Sequence, residues 1–295
     1  MTDKTCLICH RKSANEPYVK ETVKTVRKQG IDLRVLVPFN KAEKPRVVQE
    51  ALDRGAERII AGGGDGTINA VANALIGDGK TKPTAELGVF PLGTANDFAR
   101  GLGLPSDDLA ECLRIACTRD SQPIDIGVMN NRFFINVASA GFGAEITATT
   151  PVNLKKALGG GAYTLMGLIK ALKLSPYRGR LLVPGEEPVD GSMLFMAVGN
   201  NHYAGGGFDV APNAKLDDGL LDLVKIGLEP GHAITELKNE LDDPMNPDNK
   251  HVNYRQLTEF TIESERKMYC NLDGEPVLKK KFKFSVLPQH LSVVY

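Results

Sequence analysis

The run Gly62-Gly63-Gly64-Asp65-Gly66-Thr67 has the composition of a loop that holds a bulky anion. Glycines admit positive φ and remove the Cβ atoms that keep phosphate off the backbone, and a helix starting directly after such a loop offers unpaired N–H groups and its positive dipole end. Two commoner phosphate loops do not fit. The dinucleotide fingerprint counted from Gly62 needs glycine where Thr67 stands, and the P-loop needs a Gly-Lys-Ser/Thr ending that is missing. Asp65 is the unexpected group. A carboxylate beside bound phosphate repels it unless a divalent cation or ordered water intervenes, so the loop itself points to magnesium. The plain alternative is a glycine-rich strand-to-helix turn with a surface aspartate. A second loop, Pro91-Leu92-Gly93-Thr94-Ala95-Asn96-Asp97, repeats the theme, with Thr94, Asn96 and Asp97 all suited to capping a following helix. Further on, Asp217-Asp218-Gly219 and Asp273-Gly274-Glu275 place acids at Asp-Gly steps between apolar runs, and each reads first as a hairpin turn. Asp273 and Glu275, if extended, lie on one side of the chain, where a carboxylate can take a proton from a hydroxyl.

These groups need elements to hold them. Residues 58–61, with two isoleucines and a glycine stop, read as a buried strand; beyond the loop Ile68, Val71, Ala72, Leu75 and Ile76 recur at helical spacing. Residues 86–90 form the equivalent strand before the second loop. Upstream the alternation runs strand 6–9, helix 18–29 closed by Gly30, strand 31–37 and helix 46–54 closed by Gly55. A helix at 107–117 follows the second loop, carrying Leu109, Leu113 and Ala116 inward. Such βαβα order predicts a doubly wound parallel sheet with helices on both faces and ligands at the carboxyl ends of the strands. Near Ile124 the period changes to two. Ile124, Ile126 and Val128, the Asn130-Asn131 turn and residues 133–137 predict a β-hairpin. Further strands are expected at 180–183, 193–198, 219–226, 257–262, 267–271 and 281–286, with helices at 152–174 and 231–241 and a surface loop at 242–249.

At its two glycine loops, GGGDGTIN and PLGTANDFAR, the sequence resembles the diacylglycerol and sphingosine kinase superfamily, and within it the bacterial YegS-like lipid kinases. NAD kinases and phosphofructokinases share the Gly-Gly-Asp-Gly core of the first motif; the second narrows the choice. The match continues through Gly141-Phe142-Gly143, Gly199-Asn200 and Gly205-Gly206-Gly207, so it covers nearly the whole chain. The resemblance implies an α/β plus β fold. An NAD kinase/phosphofructokinase-like nucleotide-binding domain would span residues 1–123, completed by 283–295, and a β-rich sandwich domain for lipid would span 124–282, with the active cleft between them. It implies ATP as donor, bound by Gly62, Gly63, Gly64, Asp65, Gly66, Thr67, Asn69, Thr94 and Asn96. Asp65 would organise cation and water, and Glu275, with Asp273 beside it, would be the acidic proton acceptor. It also implies Mg2+ held by the Asp218 side chain and by the backbone carbonyls of Lys215 and Leu220. Three positions depart from the family pattern: Pro38 stands for a nucleotide-contacting threonine, Ala70 for glutamate and His10 for asparagine. Each removes or alters a polar contact, worth about 1 kcal/mol apiece where a neutral hydrogen bond is involved.

The 295-residue chain is 42% hydrophobic and 24% charged, which suits a soluble protein of two domains. Its 36 basic and 36 acidic residues cancel, so no overall field recruits nucleic acid or an acidic bilayer. No apolar run reaches the roughly 18 residues of a membrane span, and the start lacks the apolar core of a signal peptide. A cytoplasmic protein with peripheral membrane contact is expected. Five cysteines at 6, 9, 112, 117 and 270 suit a reducing compartment. Cys6-Leu7-Ile8-Cys9-His10 spells a haem-attachment motif, but on a strand residues 6 and 9 face opposite sides and cannot share one haem or metal. Lys279, Lys280, Lys281 and Lys283 read either as a contact for anionic lipid heads or as a lysine-guarded strand edge. The reading is an ATP-dependent, magnesium-requiring kinase of phosphatidylglycerol, diacylglycerol or a related lipid at the membrane surface. It has no nucleic-acid partner and no transmembrane segment, and the oligomeric state is left open. The rivals are a soluble-metabolite kinase related to NAD kinase and a nucleotide-binding regulator without catalysis.

Overall fold

A strand buried on both faces explains where the first sheet is centred. Cys6 to Cys9 of β1 (Thr5–Cys9) are buried without exception, so the strand must carry neighbours on both edges and cover above and below. It pairs parallel with β2 (Leu33–Leu36) on one edge and β3 (Arg58–Gly63) on the other, and β3 pairs parallel with β4 (Glu86–Pro91). The computed structural model describes residues 4–141, 176–227, 237, 239–241 and 243–295. They fall into two compact units: residues 1–126 with 287–295, and residues 127–286.

In the first unit, short α1 (Arg11–Ala14) leads into α2 (Pro17–Lys28), which joins β1 to β2. Helix α3 (Lys44–Asp53) joins β2 to β3, and α4 (Asp65–Ile76) joins β3 to β4. Prolines at the first turns of α2 and α3 start those helices without costing a hydrogen bond. Right-handed crossovers send the first connection one way along the sheet and the next two the other way. Accordingly α3 packs with α4, while α2 packs with α6 (Leu109–Thr118). Ile68, Val71, Ala72 and Ile76 of α4 and Val19, Val23 and Val26 of α2 supply the buried stripes, each full-size side chain stabilising by about 2 kcal/mol. The Asp108 carboxylate caps α6 by accepting from Glu111 N at 3.0 Å. The chain ends in the same sheet: Val293 and Val294 of β16 (Glu275–Val294) pair parallel with Leu87 and Gly88.

The second unit is built on antiparallel pairs. β5 (Ser121–Met129) turns through Asn130-Asn131, both at positive φ (48° and 63°), into β6 (Arg132–Phe134), with Met129 opposite Arg132. That is the two-residue hairpin the sequence predicts. Strands β7 (Val137–Gly141), β10 (Phe195–Gly199), β13 (Leu221–Ile226) and β14 (Val252–Leu257) follow one another across the sheet, while β11 (Tyr203–Ala204) and β12 (Phe208–Asp209) pair antiparallel with each other apart from it. Beyond β7 come β15 (Glu259–Leu272) and β16. Alternation along these strands builds a core on each face. Ala138, Met196, Val198, Leu221 and Leu223 enter one; Val137, Ala197, Val224 and Ile226 enter the other.

Several boundaries differ from expectation. Strands 257–262 and 267–271 are one strand, β15. Residues 264–267, which overlap the expected gap, only bulge opposite Lys280 while both flanks stay paired to β16. Strand 193–198 is two: β9 (Val189–Met193) hairpins with β8 (Tyr177–Leu182), and β10 starts afresh after Leu194. β14, too polar to announce itself, extends the sheet from residue 252. The helix expected at 152–174 lies outside the described residues, as do most of 231–241 and Phe142-Gly143.

Candidate active site

Both glycine loops leave carboxyl ends of parallel strands in the first unit, and they pack on each other. A Cβ on Gly93 would sit 2.5 Å from Gly64 Cα and 2.7 Å from Asn96 Oδ1, and one on Gly64 would sit 3.1 Å from Gly93 Cα. At Gly93 only glycine allows that approach, and at Gly64 a side chain would require the neighbouring backbone to give by a few tenths of an ångström. Gly64 also stands at the N-cap of α4 in extended conformation, and as glycine it brings no side chain to cap the first-turn amides of that helix. Carbonyls are used to splice the loops to neighbours: Gly62 O accepts from His10 N at 2.8 Å, Gly63 O from Leu92 N at 2.9 Å and Gly64 O from Thr67 N at 2.7 Å.

Asp65 opens α4, and its Oδ1 accepts from Phe98 N at 3.0 Å, in the first turn of α5 (Asp97–Gly101). It therefore ties the two loops together and caps the second helix. The expectation that Asn96 caps that helix is corrected: Asn96 holds a left-handed backbone (φ 51°), and its side chain turns back to accept from Gly93 N at 2.8 Å and donate to Gly93 O. With Asp65 already on α5, the asparagine is free to shape the Gly93 turn instead. Thr67 and Asn69 are buried in α4, where Asn69 Oδ1 accepts from Asn73 Nδ2 at 2.7 Å; Thr94 is exposed.

Sequence reasoning missed Lys44. Its side chain is 5% exposed, and its Nζ lies 3.4 Å from Thr67 Oγ1, which puts a buried cation at the start of the anion-receptive helix. The signal was hidden because a lysine ahead of a proline reads as surface. His10 closes β1, and its Nδ1 accepts from Lys12 N to cap α1. Burial first, then the charges of Lys44 and Lys12, hold its imidazolium below the usual range. Pro38 is buried, between exposed Val37 and Phe39. Burial pushes the Cys9, Cys112 and Cys117 thiols up to about 11 and Cys270 to about 12, so none supplies a thiolate at neutral pH.

In the second unit the acidic turns share one end of the sheet. Asp222 pairs with Gly199, Gly199 with Val137, and Leu272 with Ala138, so four neighbouring strands begin or end there. Leu272 pairs with Glu275 across a two-residue turn in which Asp273 (φ 46°) and Gly274 (φ 95°) are both left-handed. This is the hairpin turn that the Asp-Gly step predicts, and it rules out the alternative in which Asp273 and Glu275 lie side by side on an extended chain. Asp273 instead accepts backbone hydrogen bonds from Ile135 N at 2.8 Å, Asn136 N at 3.2 Å and Val137 N at 3.0 Å. Glu275, half-buried, begins the next strand.

The 217–219 segment, unlike the 273–274 turn, is not a hairpin. It is a turn ahead of β13 in which Asp218 Oδ1 accepts from Leu220 N at 3.0 Å. Lys215 and Asp218 are exposed and Leu220 half-buried. Close behind lies fully buried Asp222. Its Oδ1 accepts from Tyr254 Oη at 2.5 Å and Gln256 Nε2 at 3.2 Å, while Oδ2 has no hydrogen-bond partner among the described residues. Burial raises its pKa; the hydrogen bonds from Tyr254 and Gln256 work against that, and Asp218 adds to it. Asn136 and Asn271, also buried near this end, keep a carbonyl oxygen without a partner among the described residues. Among the described residues no three His, Cys, Asp or Glu side chains converge as a metal site.

Residues 4–129 match the family model described as "Diacylglycerol kinase catalytic domain", and residues 136–295 match "YegS C-terminal NAD kinase beta sandwich-like domain". A protein named "Probable lipid kinase YegS-like" from Chromohalobacter salexigens is 43% identical over 288 residues, covering 96% of this chain and 90% of its own. One of the same name from Shewanella frigidimarina is 40% identical, covering 98% and 92%. Among solved structures, a diacylglycerol kinase from Bacillus anthracis str. Sterne superposes with a TM-score of 0.75 at 19% identity, covering 99% of this chain and 97% of that one. An NAD kinase from Archaeoglobus fulgidus in complex with ATP gives 0.54 at 11% identity, covering 99% and 93%. These two structures show likeness of fold alone.

Proposed function

The chain belongs to the YegS-like lipid kinases, which carry a diacylglycerol kinase catalytic domain, and from that premise we propose which of its groups perform the transfer. It is an ATP-dependent kinase that moves the γ-phosphate to a lipid hydroxyl. The observation that carries the nucleotide half is the Gly64–Gly93 contact, which supports a backbone cradle formed from two strand ends. In this reading the amides of Gly62 to Thr67, with Asn69, Thr94 and Asn96 shaping the rim, position the triphosphate, and Lys44 neutralises part of its charge. Asp65 fixes the loops through Oδ1, and we assign its Oδ2 to a hydrated cation. Positioning and charge neutralisation then supply most of the rate enhancement.

For the acceptor, Glu275 is assigned as general base. Its carboxylate takes the hydroxyl proton as the lipid oxygen attacks the γ-phosphorus; the bond from that phosphorus to the β–γ bridging oxygen breaks, and ADP leaves with the electron pair. Asp273 does not compete for that role: it is a positioning residue whose three amide donors fix the turn that presents Glu275. The exposed Asp218 turn supplies hard oxygens, and the partnerless buried Oδ2 of Asp222 behind it fits a nearby cation. Asp218, with the Lys215 and Leu220 carbonyls, would hold magnesium there. When bound, magnesium supplies positive charge that orders this turn and offsets the acids around it. No helix among the described residues is long and apolar enough to cross a membrane, and we assign the enzyme to the cytoplasm, meeting phosphatidylglycerol, diacylglycerol or a related lipid at the bilayer surface as a step in phospholipid metabolism.

The test follows label from γ-labelled ATP, with and without magnesium, into extracted lipids, NAD and small sugars. Label in lipid alone supports the reading. Label only in NAD or sugars points to a soluble-metabolite kinase, and nucleotide binding without turnover, even after Pro38→Thr with Ala70→Glu, to a regulator.

A further inference from the structure

One cavity is lined wholly by residues within 128–285. This cavity, of about 810 Å³, opens where the β5–β6 turn, the 182–184 stretch after β8, and the paired strands β15 and β16 meet. That volume is within the range of pockets for small organic ligands, about 300–1,000 Å³. The rim is built rather than accidental. Asn130 N donates to Lys283 O at 3.0 Å, Asn130 Nδ2 to Lys281 O at 2.9 Å, and Asn130 Oδ1 accepts from Lys283 N at 2.9 Å, so the hairpin tip is pinned to β16. Register then places Leu182, Thr261 and Lys283 side by side across three strands.

The chemistry of the lining is amphipathic with a cationic bias. Val128, Leu182 and Val183 bring apolar surface; Thr261 and Ser285 bring hydroxyls; Lys279 and Lys283 bring two positive charges against the one acid, Glu259. The three lysines spaced two apart on β16 differ in a telling way. Lys281 is neutralised by Glu263 at 2.6 Å, whereas Lys279 and Lys283, which line the cavity, have no acidic partner within ion-pair distance among the described residues. A strand edge defended by lysine needs exposure only; here the two unneutralised charges are the two that face a cavity with apolar walls.

We propose that this cavity binds an anionic amphiphile, an alkyl chain ending in phosphate or carboxylate, at a site whose lining does not include Glu275. The inference goes beyond the transfer reaction and does not rest on it. The test is calorimetric titration of the full chain, without nucleotide, using decyl phosphate, decanoate and uncharged decyl glucoside below their micelle concentrations. Both anions are expected to bind at least tenfold more tightly than the glucoside, and the Lys279→Ala/Lys283→Ala double variant to lose roughly tenfold for the anions with little change for the glucoside. A preference for decyl phosphate over decanoate identifies a lipid phosphate as the natural ligand class; the reverse identifies a fatty acid. Thr261→Glu, which sets a carboxylate beside Lys283, is a second probe and should weaken anion binding without lowering the melting temperature. Anion affinities unchanged in both variants, or no preference over the glucoside, would overturn the proposal.

Discussion

Replacing Asp273 by asparagine separates the architecture of the acidic turn from its chemistry. The carboxylate accepts from three successive backbone amides, Ile135 to Val137, at 2.8 to 3.2 Å. Hydrogen bonds to an ionised acceptor contribute about 1.5–3 kcal/mol each. Asparagine keeps one carbonyl oxygen and turns an NH2 group toward the remaining donors, so at least one of the three bonds is lost and a donor is left facing a donor. The expected cost is about 3–5 kcal/mol, a large part of a typical stability of about 5–15 kcal/mol. Backbone strain does not enter, because asparagine tolerates the left-handed conformation (φ 46°) that Asp273 holds. Urea unfolding followed by circular dichroism, with hydrogen exchange at the 135–137 amides, reads the loss directly. Glu275→Gln should do the opposite: an unchanged urea midpoint with kcat lower by about 10²–10⁴-fold. If Asp273→Asn kept both its midpoint and its amide protection yet lost activity as Glu275→Gln does, the positioning role argued for Asp273 would be wrong.

Gly93→Ala should drive the two glycine loops apart, costing about 1–3 kcal/mol in stability and weakening an ATP analogue by tenfold or more in calorimetry, since its Cβ would lie 2.5 Å from Gly64 Cα. Lys44→Met should raise the KM for ATP about tenfold or more while leaving the melting temperature of the nucleotide-free protein unchanged or higher, because a buried cation is replaced by an apolar chain of similar length. Glu240 accepts from the amides of Lys250, His251 and Val252; burial works against its ionised form, but these donors outweigh it and hold the carboxyl below the usual range. Its folded pKa being depressed, its stabilisation is present above the unfolded value near 4.5 and fades as pH falls through the folded one. Glu240→Gln should therefore melt lower than the parent at pH 7, with the gap closing in acid.

Much of the first unit was legible because its signals are local. Glycine stops, apolar strands of four to six residues and 3.6-residue periodicity each act within one element, and the order of elements fixes a parallel sheet with few alternatives. The Asn130-Asn131 hairpin was equally plain, since only a residue tolerant of positive φ serves at both turn positions. What escaped depends on partners distant in sequence. Nothing around residue 273 announces that amides 135–137 will converge on its carboxylate, although the Asp-Gly step itself marks the hairpin turn that is found. Lys44 was invisible for the same reason: its burial comes from α4, more than twenty residues on. The two strands expected at 257–262 and 267–271 are joined because the register to β16 is recovered on either side of the bulge in β15.

The polar groups that escaped share one physical circumstance, which argues for their function. Buried amides and acids are costly unless every oxygen finds a donor, and most proteins avoid leaving several unsatisfied in one place. Here Asn136, Asn271 and Asp222 each keep a buried oxygen without a partner among the described residues, and all three lie near the end of the sheet that also carries the Asp218 and Asp273 turns. Fold stability does not require that arrangement, since the cores on both faces are aliphatic and aromatic. Acceptors held in place by the sheet but left open instead suit donors that arrive from outside: a lipid hydroxyl, water, or a hydrated cation. Replacing Asn271 by an isosteric leucine should accordingly preserve or raise the melting temperature while raising the KM for the lipid acceptor and leaving that for ATP unchanged. A melting temperature lowered by several degrees with both KM values intact would place these oxygens in the scaffold rather than in the site.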